Sequence, residues 1–353
     1  MTLRPPTSRG VFRALVAPLA LLLSVALVGC SDDGGGGGSG GGGGADDGAA
    51  GAEGLRIAAV FSGATTDADY NALGLLALQE AEEAGAEIAF SESVQVADVE
   101  RVMTEYLADD YDVLWTHGSQ FYEATSSLAQ DYPEVTFIGE FDGEPADQPE
   151  NVWVLDRNFH LAFYAVGVLA DALTTSGEIG YVGGASLPFS YSEVHAMEQA
   201  IADAGSDSIV RPVWTGDFND PSRAQQISTQ LVGDGADVVV GSLNLGAVGT
   251  FQALEDTEPG STWTTAKYTD KSSFGAEHYA GSVIYDFTTP LEDILGEIAA
   301  GTTSGYYSLG FDTGVTLQVG DNVPAEAKEA AEAALAGIED GSITVERNVD
   351  PIE

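Results

Sequence analysis

Cysteine is almost missing from this 353-residue chain: Cys30 is the only one. That excludes a disulfide within the chain and any cysteine-based metal site. Lysine stands at only three positions, Lys267, Lys271 and Lys328, and the four histidines at 117, 160, 195 and 278 lack metal-ligand spacing. No Gly-x-Ser-x-Gly elbow and no phosphate-binding P-loop occurs. The chain therefore reads as a protein without metal, cofactor or catalytic constellation. Basic residues as a whole are few, 12 Lys and Arg against 56 Asp and Glu, a net charge of -44. Such a field repels nucleic acid and anionic headgroups, so neither is expected as a partner. It also strains any compact fold unless salt screens it.

What is present begins with an address. Arg4, Arg9 and Arg13 precede an apolar run from Ala14 to Val28, broken only by Pro18 and Ser24. Fifteen residues are too few to span a bilayer, which takes about 20, but suit the core of a signal peptide. The run ends in Leu27-Val28-Gly29-Cys30, which looks like a lipobox. Residues 1–29 are thus expected to be a lipoprotein signal peptide, and Cys30 the lipid attachment point; two acyl or alkyl chains give stable anchoring where one is marginal. Residues 30–54 follow as a lipidated Cys and a linker in which ten of positions 34–44 are Gly. Such a segment reaches about 27 Å root-mean-square, a leash for a domain working just above a membrane.

From Leu55 onward, strands alternate with helices. Arg56–Phe61 is an uninterrupted apolar run of the kind a buried parallel strand shows. A helix over 71–84 stops at Gly85, and strand-like runs follow at 87–90, 112–116 and 135–138, with helices at 99–108 and 121–130. The same order recurs from Glu178: strands at 178–182, 209–214 and 237–240, helices at 192–204, 223–231 and 248–254. Further on, helices are expected at 291–299 and 324–338 and short strands at 309–311, 315–317 and 343–345. Two open α/β units place their binding edges at the carboxyl ends of the strands, and a ligand between them is enclosed when they close.

Four motifs, in order over nearly the whole folded region, resemble the basic membrane protein family of ABC-importer binding lipoproteins, which includes purine-nucleoside receptors. They are Asp67-Ala68-Asp69-Tyr70-Asn71; Asn151-Val152 with the small-residue segment Ala165–Ala170, Thr174 and Gly177–Gly184; Trp214–Pro221; and Gly235-Ala236-Asp237-Val238. The resemblance implies a type I periplasmic-binding fold, α/β, with two Rossmann-like lobes and three hinge crossings: residues 55–158 plus about 288–318 in one lobe, 159–287 plus about 319–353 in the other. It also implies an extracytoplasmic, lipid-anchored protein that binds a nucleoside or purine-like solute and hands it to an ABC permease; a surface receptor that signals without transport is the alternative. By motif position, the ligand-binding residues implied are Asp67, Tyr70 (where the family has Phe), Asn71, Phe218 and Asp270, with Gly118 and Phe121 following the third strand. His117, beside Gly118, is a further hydrogen-bonding candidate. The strand at 282–287 carries none of the Lys that nucleoside-binding members have after that Asp. The acid-rich, Lys-poor composition resembles that of haloarchaeal proteins.

Overall fold

The computed structural model describes residues 51–352. The leader, Cys30 and all but the last four linker residues lie outside the described part. Gly51 and Ala52 are already packed: Ala52 is buried, and a Cβ on Gly51 would stand 2.6 Å from the Gly296 backbone.

Two six-stranded sheets carry the molecule. The first is built from β1 (Arg56–Phe61), β2 (Glu87–Ser91), β3 (Val113–His117), β4 (Thr136–Phe141), β5 (Val152–Asp156) and β11 (Gly305–Ser308), in the order β11-β5-β4-β3-β1-β2, all parallel. The second takes β6 (Glu178–Gly183), β7 (Ile209–Trp214), β8 (Val238–Ser242), β9 (Trp263–Tyr268), β10 (Tyr279–Tyr285) and β12 (Val315–Val319), in the order β12-β10-β9-β8-β6-β7; only β12 runs antiparallel. Helices α1 (Tyr70–Glu83), α2 (Val99–Ala108) and α3 (Tyr122–Asp131) cover the first sheet. The second has α4 (Phe159–Leu173), α5 (Pro188–Asp203), α6 (Pro221–Gly233), α7 (Ala247–Leu254) and α9 (Ala325–Glu339), while α8 (Thr288–Ala299) returns to pack on α1. The chain therefore passes between the lobes after β5, after β10 and after β11. This is the two-lobed α/β architecture with three hinge crossings.

The apolar runs are long because both faces of each sheet are covered: Ile57–Phe61 and Val238–Val240 are fully buried. The motif residues prove to be fasteners. Asp237 accepts from the Thr174 hydroxyl (2.5 Å), the Thr175 amide (2.7 Å) and the Ser176 amide (3.0 Å), tying the turn before β6 to the start of β8. Asp112 does the same in the first lobe, accepting from the Arg56 amide (2.8 Å). Asn151 donates its amide to the carbonyls of Ala129, Tyr132 and Val135 at 2.9–3.0 Å, closing the end of α3 onto β4. Gly167 in α4 lets the Met197 backbone of α5 approach to where a Cβ would be 2.7 Å away.

Three expectations are corrected. Residues 309–311 are not a strand: the edge strand is β11, four residues earlier, and Leu309 is a buried plug at the third crossing. The segment 343–345 pairs with no strand among the described residues; the Ile343 amide donates to the Gly337 carbonyl (2.8 Å), and the Gln199 side chain donates to the Thr344 carbonyl (2.9 Å) and accepts from the Glu346 amide (2.9 Å). The helix expected over 192–204 starts at Pro188, because a proline at the first helical position lacks only a hydrogen that would be unused there.

Candidate functional site

The carboxyl ends of the two sheets face each other across a cleft of about 440 Å³. On the first lobe its wall starts at Ser62 and Gly63, directly after β1, and continues through Tyr70 and Asn71 at the head of α1. This corner is organised by Asp67, which accepts from the backbone amides of Asp69 (2.9 Å) and Ala72 (3.0 Å), from the Asn71 side chain (2.8 Å) and, across the cleft, from Asn244 (3.0 Å). Its oxygens are thus committed to the protein, and it is 5% exposed. Asn71 in turn accepts from the Gly63 amide (3.0 Å).

Tyr70 lies against His117, ring centroids 3.9 Å apart and near-parallel. Its hydroxyl donates to Glu140, and His117 faces the same carboxylate through Nδ1 while Nε2 meets the Tyr70 carbonyl at 2.8 Å. His117 is fully buried behind the wall. Gly118 does not reach the cleft. Its φ of 146°, open to glycine, turns the chain so that Ser119 meets Arg157. Phe121 is buried in the core of the first lobe, among Tyr122, Phe137 and their neighbours. Asp270 stands exposed outside the cleft lining; hydrogen bonds, led by the Ser272 amide, hold its carboxyl below the ordinary range.

The opposite wall is aromatic. Phe218 sits in the loop after β7, seated against Gly184, where a Cβ would stand only 2.1 Å from its ring. The glycine at the end of β6 is what lets this ring lie over the sheet edge. Phe189, at the head of α5, stands 6.1 Å from Phe218 with the rings 22° from parallel. Leu187, Tyr268 and Asn244 complete this side, with Gln95, Gln120 and Arg157 opposite. Of the candidates named from the sequence, Tyr70, Asn71 and Phe218 line the cleft; Asp67, His117, Gly118, Phe121 and Asp270 do not. Arg157, Phe189, Asn244 and Tyr268 were not legible. The only signal for Phe189 was a Pro-Phe pair opening a helix just after the Gly183-Gly184 strand end.

Two of the three lysines lie inside this region. The Lys267 ammonium sits 2.5 Å from Glu193, over the Phe159 ring at 3.3 Å, and Tyr181 donates to the same carboxylate at 2.5 Å. Burial lowers the Lys267 pKa to about 8 against the pull of Glu193. Lys271 bridges the lobes, pairing with Asp69 of the first, which also accepts from Thr269 (2.9 Å). Burial raises Asp69 to about 6 despite that partner. Among the described residues no group of His, Cys, Asp or Glu side chains is arranged to hold a metal, and no helix is long and apolar enough to cross a membrane.

Residues 55–340 match the family Bmp, described as ABC transporter substrate-binding protein PnrA-like. The chain belongs to this family. It is 24% identical over 253 residues to TsgA13 of Haloferax volcanii, whose name describes an ABC transporter glucose-binding protein; the match covers 70% of this chain and 62% of that one, short of two thirds of its length. To the ABC transporter nucleoside-binding protein BmpA of Lactococcus lactis subsp. cremoris it is 26% identical over 257 residues, covering 67% and 71%. The crystal structure of an ABC transporter solute-binding protein from Aeropyrum pernix K1 superposes with a TM-score of 0.71 at 18% identity, covering 83% of this chain and 94% of that one. That likeness bears on the fold.

Proposed function

We propose that this Bmp-family protein captures a nucleoside or a related purine-like solute outside the cell and delivers it to an ABC permease, tethered to the membrane by a lipidated Cys30. One observation carries the ligand class: the near-parallel Phe218 and Phe189 rings at the cleft, beside a set of amides. A planar heterocycle stacks on such a wall, and Asn71, Asn244, Gln95 and Gln120 offer both donors and acceptors for a sugar. The cleft volume falls within the roughly 300–1,000 Å³ usual for small-molecule sites. Interlobe bonds such as Asp69 with Lys271 and Asp67 with Asn244 hold the jaws shut over it. The lobes divide near residues 158, 287 and 310–314, where the chain passes from sheet to sheet. Salt-dwelling origin accords with the composition and with the Haloferax relative.

Calorimetric titration in molar salt with nucleosides, free bases and hexoses tests the ligand class. Phe218→Ala is expected to weaken nucleoside binding by about 1–3 kcal/mol, roughly 5- to 150-fold in Kd. Unchanged affinity in that variant, or binding of hexoses with no nucleoside bound, would overturn this reading. The tether is tested separately: Cys30→Ala is expected to move the protein from the membrane pellet to the supernatant, and a variant that still sediments with membranes refutes lipidation there.

A further inference from the structure

Asn244 stands in the turn between β8 and α7 and lines the cleft; it is 5% exposed. Its backbone is fully paired: the amide donates to the Phe218 carbonyl (3.0 Å), and the carbonyl accepts from the Ala247 amide (2.9 Å). Its side chain is turned by the other lobe. Nδ2 donates to Asp67 (3.0 Å), and a carboxylate can only accept, so Oδ1 is the end left over. Asp67 itself is held in place by the Asp69 and Ala72 amides and the Asn71 side chain at 2.8–3.0 Å. Oδ1 of Asn244 finds no partner among the described residues, yet it is not sealed. In this it differs from the unpaired hydroxyls of Tyr279 and Tyr285, which are shut off from solvent. Asn244 lines the cleft and is otherwise buried, so the surface this oxygen keeps is cleft surface. A ligand that fills the cleft expels solvent from it. That ligand must offer a hydrogen of its own or leave a buried acceptor unpaired, which is costly.

We propose that Asn244 is a specificity-determining residue: its Oδ1, aimed by Asp67 of the opposite lobe, accepts a hydrogen bond from the ligand, so the closed cleft demands an N–H or O–H donor at this point. The inference rests on the nucleoside reading above. On a nucleoside the donor is either an N–H on the edge of the base or a sugar hydroxyl. A ligand carbonyl or bare ring nitrogen in the same place sets acceptor against acceptor and leaves both unpaired. The bond from Asn244 to Asp67 spans the cleft, so the acceptor is aimed only once the lobes meet, and recognition is tied to closure.

Calorimetry in molar salt with adenosine, inosine and analogues that each lack one kind of donor makes the test. Purine riboside lacks the N–H groups of the base; the 2′-, 3′- and 5′-deoxy forms each lack one hydroxyl. In the wild type, one of these deletions is expected to weaken binding about tenfold or more, the effect of leaving a buried acceptor unpaired. In Asn244→Ala the same deletion should cost about twofold or less, because the oxygen it served is gone. Coupling to purine riboside places the donor on the base, and coupling to a deoxy form places it on the sugar. Thr269→Val removes a different bond between the lobes and should weaken all the ligands while keeping the discrimination. If the alanine variant does not fold, Asn244→Leu keeps the volume and loses the same oxygen. Deletions that all cost the same with and without Asn244 overturn its role while leaving nucleoside binding intact. Binding of neither adenosine nor inosine removes the underlying reading and this one with it.

Discussion

Glu193→Gln is expected to destabilise the protein by about 3–5 kcal/mol at neutral pH, the cost of removing one partner from a buried ion pair. Neither Glu193 nor Lys267 has any exposed side chain. With the carboxylate gone, the ammonium is left among aromatic rings, which recover only part of its lost hydration. The lysine then gives up its proton instead. Neutralising a group of ordinary pKa about 10.4 at pH 7 costs about 4.6 kcal/mol, which caps the effect. The pH dependence follows from the sign of the shift. The folded state holds Lys267 below its unfolded pKa, so the unfolded chain binds more protons between the two values and stability rises with pH across that window. In the wild type the window runs from about 8 to about 10.4. In the variant it extends to lower pH, so the deficit should shrink as pH approaches 10. Lys267→Met added to Glu193→Gln removes the stranded charge while leaving Tyr181 an acceptor, and should restore stability to within about 1 kcal/mol of the wild type. Denaturant unfolding of the three proteins in molar salt checks this; a single variant costing under about 1 kcal/mol would mean the pair is hydrated.

The thermal midpoint of the wild type should fall by about 10 °C or more between 3 M and 0.1 M KCl. That corresponds to a loss of about 6 kcal/mol in a folded region of this size. The source is the net charge of -44, sharpened by where the positive charge sits. Lys267 and Lys271 are spent inside the molecule and Arg157 in the cleft, which leaves few cations outside to offset surface carboxylates. The screening length is about 3 Å at 1 M salt and about 10 Å at 0.1 M, so neighbouring carboxylates repel only in the dilute buffer. Chloride is the useful salt, since sulfate also strengthens apolar burial. Sucrose at matched osmolality should not substitute for it. A midpoint indifferent to KCl would show that the acidic surface plays no part in adaptation to salt.

Two sheets could be read from the residue order because their signal is local. A strand covered on both faces must be apolar throughout, as Arg56–Phe61 and Val238–Val240 are, and Gly85 and Gly205 ended their helices where expected. Edge elements were misread at 309–311 and 343–345, since an exposed edge carries no such run and its pairing depends on residues far along the chain. The site shows the same division. Asp67, Asn71 and Phe218 belong to contiguous motifs, yet nothing in their neighbourhood distinguishes a carboxylate that caps α1 from one that faces a ligand; that depends on Asn244, 177 residues away.

Composition and short-range pattern determined the class of architecture and the excess of acidic residues, because each follows from hydrophobicity and charge counted over neighbouring residues. The folded arrangement alone decided which side chains meet: that Lys267 finds Glu193, that Lys271 reaches Asp69 in the other lobe, and that Arg157 stands in the cleft wall paired with Asp142. These contacts join segments brought together by three passes of the chain between two sheets. Their energies depend on burial and distance, which exist only after the lobes have packed.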